Sequence, residues 1–384
     1  MFKRLFRIDK KNNQSFFLFG PRGTGKTTWL KKNFSKAIYL DLLDSKLFRI
    51  LSATPEKLDN YIAKNNKEWI ILDEVQKIPD LLNEVHKLIE AKKYKFILTG
   101  SSARSLRRKG VNLLAGRALT YYFYPLTQKE LGKSFSFQHS LKFGQLPMAY
   151  VSKNPEKFLQ SYIKTYLKEE IQQEGLTRNV GNFARFLEVA SFSQGELLSA
   201  SDIAREAQLE RKTVENYFGI LDDLLLSIEL PVFTKRAKRK LIFKKKFYYF
   251  DVGVFRALRP IGLFDSESEL DGASLETLFL QEMIALNDYL ELNYKIYFWR
   301  SQTGLEVNFV LYGKNGLIAI EIKRKSMIHR KDLNGLRAFG SDYPEAKRFV
   351  FCGVNRTEYQ EGITILPAEI ALKELEKIMK GLKY

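Results

Sequence analysis

Cysteine is almost missing from this sequence: Cys352 stands alone among 384 residues. One cysteine forms no internal disulfide, which excludes the small disulfide-stapled secreted class and fits a reducing cytosol. Its expected role is that of a small buried apolar residue. Histidine is nearly as scarce. His86, His139 and His329 are isolated, and no Cys/His cluster has the spacing of a zinc site. Long hydrophobic runs are absent too. None approaches the roughly 20 residues a membrane helix needs, so no membrane partner is expected. The basic opening, residues 1–11, leads to Phe16-Phe-Leu-Phe19, an apolar stretch too short for a signal peptide and better placed as a buried strand. Acidic residues are in deficit, 44 against 63 lysines and arginines, for a net charge of +19. That excess predicts an acidic partner, DNA foremost; a lysine-rich proteome is the bland alternative.

What remains is a globular composition, 45% hydrophobic and 28% charged, at a length that needs two or three domains. Residues 15–130 alternate short apolar runs with helical patterns. Ser15–Gly20, Ala37–Leu40, Trp69–Leu72 and Tyr94–Thr99 read as buried strands, and Leu81–Ala91 as an amphipathic helix. Strands alternating with helices predict a parallel sheet covered on both faces. Residues 126–200 read as mostly helical, with a Gly- and Pro-containing break at Phe143–Tyr150. Beyond residue 272 a helix leads into strands near Tyr294–Trp299, Val307–Tyr312 and Ile318–Ile322. The domains predicted are 1–130, 131–255 and 256–384.

Gly20-Pro21-Arg22-Gly23-Thr24-Gly25-Lys26-Thr27, continued by Thr28, satisfies G-x-x-x-x-G-K-[ST] at every position. Glycines let the backbone fold into a nest of N–H groups aimed at phosphates, and the helix N-terminus behind it adds a favourable dipole. Lys26 is the residue to reach the β- and γ-phosphates, and the Thr27 hydroxyl the one to ligate magnesium. Further on, Trp69-Ile-Ile-Leu-Asp73-Glu74 is an apolar strand ending in two carboxylates. Asp73 is expected in the magnesium shell and Glu74 as the group that activates water. ATP and Mg2+ are thus the predicted ligands. Thr99-Gly-Ser101-Ser102 ends another strand in hydroxyls, with Ser101 the candidate γ-phosphate sensor and a plain turn as the alternative. Arg104 and Arg117 are candidate arginine fingers, in cis or into a neighbouring subunit of a homo-oligomer; a structural arginine is the alternative for each.

Two features lie further along. Residues 201–207 and Arg211–Leu226 read as a helix-turn-helix with Ser201 as N-cap. Lys235, Arg236, Lys238, Arg239, Lys240, Lys244, Lys245 and Lys246 then follow without one acidic residue. A basic wing over residues 235–246 would sit on a phosphate backbone; a solvated hairpin on a packing module is the alternative.

These motifs, with Leu72-Asp-Glu-Val-Gln76, Leu98-Thr-Gly-Ser-Ser102, Leu114-Ala-Gly-Arg117 and Tyr249-Phe-Asp-Val-Gly253, resemble a prokaryotic family of AAA-type P-loop ATPases fused to a C-terminal domain of unknown function. The resemblance covers nearly the whole chain. It implies an α/β fold: a P-loop NTPase parallel sheet of the AAA/ASCE type, then a helical, winged-helix-like region, then a restriction-endonuclease-like α/β domain. In that last domain Glu276, Asn308, Glu321 and Lys323 resemble a nuclease metal site. Asn308 stands where an aspartate is expected, so metal affinity and cleavage should fall. The expected function is ATP hydrolysis coupled to a DNA-associated task in the cytoplasm. An ATP-regulated nuclease and a slow nucleotide-gated assembly switch are the alternatives.

Overall fold

The computed structural model describes residues 2–8, 14–63, 68–101, 114–167, 179–234, 245–262 and 266–382. Ser102, Arg104 and the basic residues from Lys235 to Lys244 lie outside the described residues. The chain divides into two compact units, one of residues 6–125 with 220–226, the other of residues 1–5, 126–219 and 227–384. Among the described residues no helix is long and apolar enough to cross a membrane.

The smaller unit is built on five parallel strands, β1 (Ser15–Phe19), β2 (Ile38–Asp41), β3 (Trp69–Asp73), β4 (Lys95–Gly100) and β5 (Ala118–Tyr122). Their spatial order is β2-β3-β4-β1-β5. β1 and β3 are buried along their whole length, as strands covered on both faces must be. Alternation divides the side chains between two layers. Phe17, Phe19, Leu40, Ile70, Leu72, Phe96 and Leu98 join the helix residues Leu82, Val85 and Leu88 in one core, while Phe16 meets Phe34, Trp69 and Tyr121 on the other face. Four of the strands fall where the apolar runs predict them. β5 (Ala-Leu-Thr-Tyr-Tyr) has no such run. It is a half-exposed strand that, among the described residues, pairs with β1 alone.

The larger unit begins with short helices, Gln128–Leu131, Phe137–Phe143, Pro147–Val151 and Pro155–Ser161. The break expected at Phe143–Tyr150 is thus shorter than predicted, because Pro147 opens a helix at N1. Three more helices follow, Val180–Ser191, Ala200–Ala207 and Arg211–Asp223, then the antiparallel pair β6 (Ser227–Leu230) and β7 (Lys246–Tyr249). Phe183, Phe186, Tyr217, Phe218, Phe247 and Tyr249 pack ring against ring between them. The cap of the helix Ala200–Ala207 is Ser199, whose hydroxyl accepts from the Asp202 N–H, not Ser201. Ser199 has the extended backbone an N-cap requires, and Ser201 already lies inside the first turn.

The helix Glu267–Tyr289 then packs on a six-stranded mixed sheet: β8 (Lys295–Arg300), β9 (Glu306–Gly313), β10 (Gly316–Ile322), β11 (Lys347–Cys352), β12 (Glu358–Gln360) and β13 (Ile363–Pro367). The order is β12-β13-β11-β10-β9-β8. β10, β11 and β13 run parallel, and β8 and β9 run antiparallel to form a meander with β10. Cys352 is fully buried at the end of β11, as expected of a small apolar side chain.

Candidate nucleotide-binding site

The strand order sets the site. β4 stands between β1, which leads into the glycine loop, and β3, which ends in the acidic pair. All three strands point their carboxyl ends the same way, where ligands collect on open parallel sheets. Residues 20–27, 73–76 and 99–101 therefore converge from three separate segments.

In the loop, Gly23 and Gly25 have φ of 81° and 95°, in the left-handed region that favours glycine. Gly20 is confined differently: a Cβ there would lie 2.2 Å from the Phe123 carbonyl oxygen. Gly25 caps the helix Lys26–Asn33 without a side chain, so the cap gives no side-chain hydrogen bond to the first N–H groups of that helix. The Thr24 hydroxyl donates to the Pro21 carbonyl at 2.8 Å and fixes the turn. Lys26, buried, folds its ammonium over the same loop and donates to the Gly20 and Pro21 carbonyls. Arg22 and Thr28 are exposed and Thr27 half-buried.

Asp73 is the meeting point. Thr27 Oγ1 donates to its Oδ2 at 3.1 Å and Thr99 Oγ1 to its Oδ1 at 2.6 Å. Tyr39, from β2, donates its phenol to the same Oδ2. Burial, then the Asp73 carboxylate, pushes the Tyr39 hydroxyl far above its usual range, so it stays a donor. The sequence gives little sign of Tyr39, since a tyrosine in an apolar strand reads as core. Next to Asp73, Glu74 is held in the left-handed region at φ 59°. Gln76, buried, gives its amide both to Glu74 Oε2 and to Ser101 Oγ, the latter at 3.2 Å. Lys26, Thr27, Asp73, Glu74 and Ser101 are thus brought together, with Tyr39, Gln76 and Thr99 added.

Arg117 is not brought to this site. It precedes β5, whose first residue, Ala118, pairs with Ser15 at the opening of β1. The loop begins at the other end, about 15 Å along a five-residue strand. There Arg117 forms an ion pair with Glu90, and holds that carboxyl below its usual range.

The residues fit a magnesium nucleotide. The loop is a glycine-shaped cradle with a glycine-capped helix start, its lysine is aimed inward, and a hydroxyl and a carboxylate stand together as hard oxygen donors.

The four nuclease-like residues also gather, in the larger unit. Asn308 on β9 and Glu321 on β10 are cross-strand neighbours: the Asn308 N–H donates to Glu321 Oε2 at 3.2 Å. Lys323 pairs with Glu321 Oε1 at 2.7 Å, in keeping with the one-face spacing of Glu-x-Lys. Glu276 approaches from the helix Glu267–Tyr289 and accepts from the Tyr248 hydroxyl at 3.1 Å. Burial raises the Glu276 carboxyl to about 7 and lifts Glu321 as well. The Asn308 side-chain oxygen, however, accepts from the Ile322 N–H at 2.8 Å and so clamps β9 to β10. Among the described residues no group of three or more His, Cys, Asp or Glu side chains is arranged to hold a metal.

Lys245 and Lys246 are the described part of the predicted basic wing. Lys245 pairs with Glu229. Lys246 is buried and pairs with Glu306 Oε2 at 3.1 Å, so it is not surface available to a phosphate backbone. Its place on β7 turns it inward, which a run of lysines in sequence does not reveal.

Comparison with known proteins bears on the domains rather than on single residues. A model of an AAA domain matches residues 12–132. Two domains of unknown function, DUF8612 and DUF4143, match residues 135–266 and 271–371. The uncharacterized protein Rv2008c of Mycobacterium tuberculosis is 28% identical over 321 residues, covering 80% of this chain and 70% of its own length. The uncharacterized protein MJ1544 of Methanocaldococcus jannaschii is 22% identical over 338 residues, covering 79% and 73%. Among solved structures, protein VC1899 of Vibrio cholerae aligns over 90% of this chain and 98% of its own, at 11% identity and a TM-score of 0.23, too low to carry an argument. The N-terminal region is an AAA-type, P-loop ATPase-like domain, and two domains of unknown function follow it.

Proposed function

We propose that the chain binds and hydrolyses ATP with magnesium at the loop Gly20–Thr27, and that hydrolysis drives a DNA-associated task in the cytoplasm. The observation that supports this most is the convergence of Thr27, Asp73 and Glu74 at the carboxyl ends of β1 and β3, behind a lysine turned into its own loop. In this reading the N–H groups of residues 20–28 and the Lys26 ammonium bind the phosphates, while Thr27 and Asp73 hold the metal. The metal, when bound, neutralises charge on the phosphate oxygens. Glu74, with Oε2 held by Gln76, accepts the proton of the attacking water at Oε1. Ser101, joined to Glu74 through Gln76, reads the phosphate end. Arg117 serves as a finger only from a neighbouring copy, since its own site lies at the other end of the sheet.

The DNA reading draws on the net charge of +19 and on the two-helix arrangement before β6. The exposed positions of Arg211–Asp223 include Arg211, Lys212 and Asn216, and such groups suit a phosphate backbone and base edges. Residues 131–255 act here as a winged-helix-like region, and residues 256–384 as a nuclease-like domain kept for binding rather than cleavage, because the Asn308 oxygen is already engaged.

The test is the steady-state ATPase rate with and without duplex DNA. Lys26→Ala should abolish nucleotide binding. Glu74→Gln should still bind ATP while turnover falls about 100-fold or more, as for a lost general base. Retained turnover in both variants rejects the site. A rate indifferent to DNA rejects the DNA task alone. ATP-dependent assembly with negligible turnover in the unsubstituted chain points instead to a nucleotide-gated switch.

A further inference from the structure

The nuclease-like group of Glu276, Asn308, Glu321 and Lys323 has further charged neighbours. Glu276, Glu321 and Glu306, from the helix Glu267–Tyr289, β10 and β9, each interact with one lysine. Lys246, from β7, is the buried cation among them. Its ammonium is 3.1 Å from Glu306 Oε2 and favours the ionised forms of both Glu276 and Glu321. Lys323 covers Glu321 at 2.7 Å and Arg300 covers Glu306 at 2.7 Å. Three carboxylates therefore meet three cations. A buried group of carboxylates is costly unless a cation neutralises it, and a metal or a protein ammonium serves equally as that cation.

We infer that the Lys246 ammonium occupies the cation position of the Glu276–Glu306–Glu321 cluster, so this domain takes no divalent metal there. A further observation agrees. Asn308, beside Glu321, spends its side-chain oxygen on the Ile322 N–H. A cavity of about 420 Å³ lined by Gln194, Gly195, Glu196, Arg259 and Glu269 reaches one member of the cluster, Glu276. Exclusion rests on charge and donor supply, and both depend on side chains that substitution can change. The inference does not depend on the ATPase reading.

The test is calorimetric titration with MnCl2, in chains that all carry Thr27→Ala and Asp73→Asn so that the metal ligands of the proposed nucleotide site contribute nothing. The parent chain is expected to show no binding at the cluster. Lys246→Met with Asn308→Asp is expected to bind one Mn2+ at least tenfold more tightly than the parent, to gain thermal stability with the ion, and to lose both when Glu321→Gln is added. Aspartate can still accept the Ile322 N–H while its second oxygen turns to the metal. Asn308→Asp alone, nearly isosteric and still holding Lys246, is expected not to bind. Mn2+ binding that Glu321→Gln removes, in either the parent or Asn308→Asp, overturns the inference. So does a folded Lys246→Met/Asn308→Asp chain that ignores the ion.

Discussion

Three hydroxyl donors converge on the two oxygens of Asp73, and they are not equivalent in what they offer a ligand. Thr27 can ligate a metal through oxygen while its proton stays on Asp73. Thr99 is locked on the other oxygen, fully buried on β4. Tyr39 has only its phenol to give, and because burial and the neighbouring carboxylate raise its pKa, that proton stays in place at working pH. Its task in the proposed site is to fix the direction of the Asp73 carboxylate. Tyr39→Phe keeps the ring, which lies under the Lys31 ammonium at 4.8 Å, and removes the donor alone. A hydrogen bond to a charged group is worth about 1.5–3 kcal/mol. The Mg2+ concentration for half-maximal ATPase should therefore rise roughly tenfold, with nucleotide binding in EDTA unchanged. A superimposable magnesium titration would remove Tyr39 from the site. Lys246 makes the complementary point: the sequence shows a lysine at the end of a basic run, and only the pairing of Leu230 with Lys246 across β6 and β7 shows it turned inward.

At the scale of elements, motifs and folds separate in how far they can be read. β1 to β4 are legible because a parallel strand buried on both faces must be an apolar run, and the loop and acidic pair are legible because their chemistry fixes spacing. β5 is not, since a strand with half-exposed side chains carries no such run. In the larger unit β8 to β10 follow from their apolar runs. β11 and β13 carry runs as clear, Phe349–Cys352 and Ile363–Leu366, but belong to the sheet only by parallel pairing across intervening segments, which local pattern does not encode. Tyr249-Phe-Asp-Val-Gly253 is a case where a motif marks architecture. The buried Asp251 carboxylate accepts from the N–H groups of Gly253 and Val254, capping the helix Val252–Leu258, and from the Gln145 N–H more than 100 residues away in sequence. Gly253 has no room for a side chain, because a Cβ would lie 2.2 Å from the Phe143 carbonyl oxygen. Asp251→Ala removes a cap and orphans a buried N–H together, a loss of about 3 kcal/mol. Urea unfolding should show it as a lowered midpoint at constant slope, and a change below about 0.5 kcal/mol would mean that the motif is not structural.

At the scale of the whole molecule, charge has two opposed effects on stability. With a net charge of +19, self-repulsion among cations falls as pH rises. The larger unit also buries carboxyls whose ionisation it resists: Asp251 is raised to about 6, Glu276 to about 7 and Glu282 to about 8, each mainly by burial. In the unfolded chain such groups titrate near 4 to 4.5. Between those values the folded state holds more protons than the unfolded one, so stability is fully present below about pH 4.5 and is lost as pH rises through 6 to 8. One unit corresponds to about 1.4 kcal/mol, so Glu282 alone contributes on the order of a few kcal/mol to this slope. Glu282 is the cleanest probe. It sits inside the helix Glu267–Tyr289 and accepts from the Gln145 side chain at 3.0 Å and from the Gln128 N–H, so Glu282→Gln keeps an acceptor oxygen while deleting the titration. Thermal melts of the nucleotide-free chain should fall by several degrees between pH 5.5 and 8.5, and Glu282→Gln should flatten that fall, melting higher than the unsubstituted chain only at the alkaline end. Parallel curves for the two chains would show that Glu282 ionises in the folded protein without penalty, and that its hydrogen bonds to residues 128 and 145 compensate the burial in full.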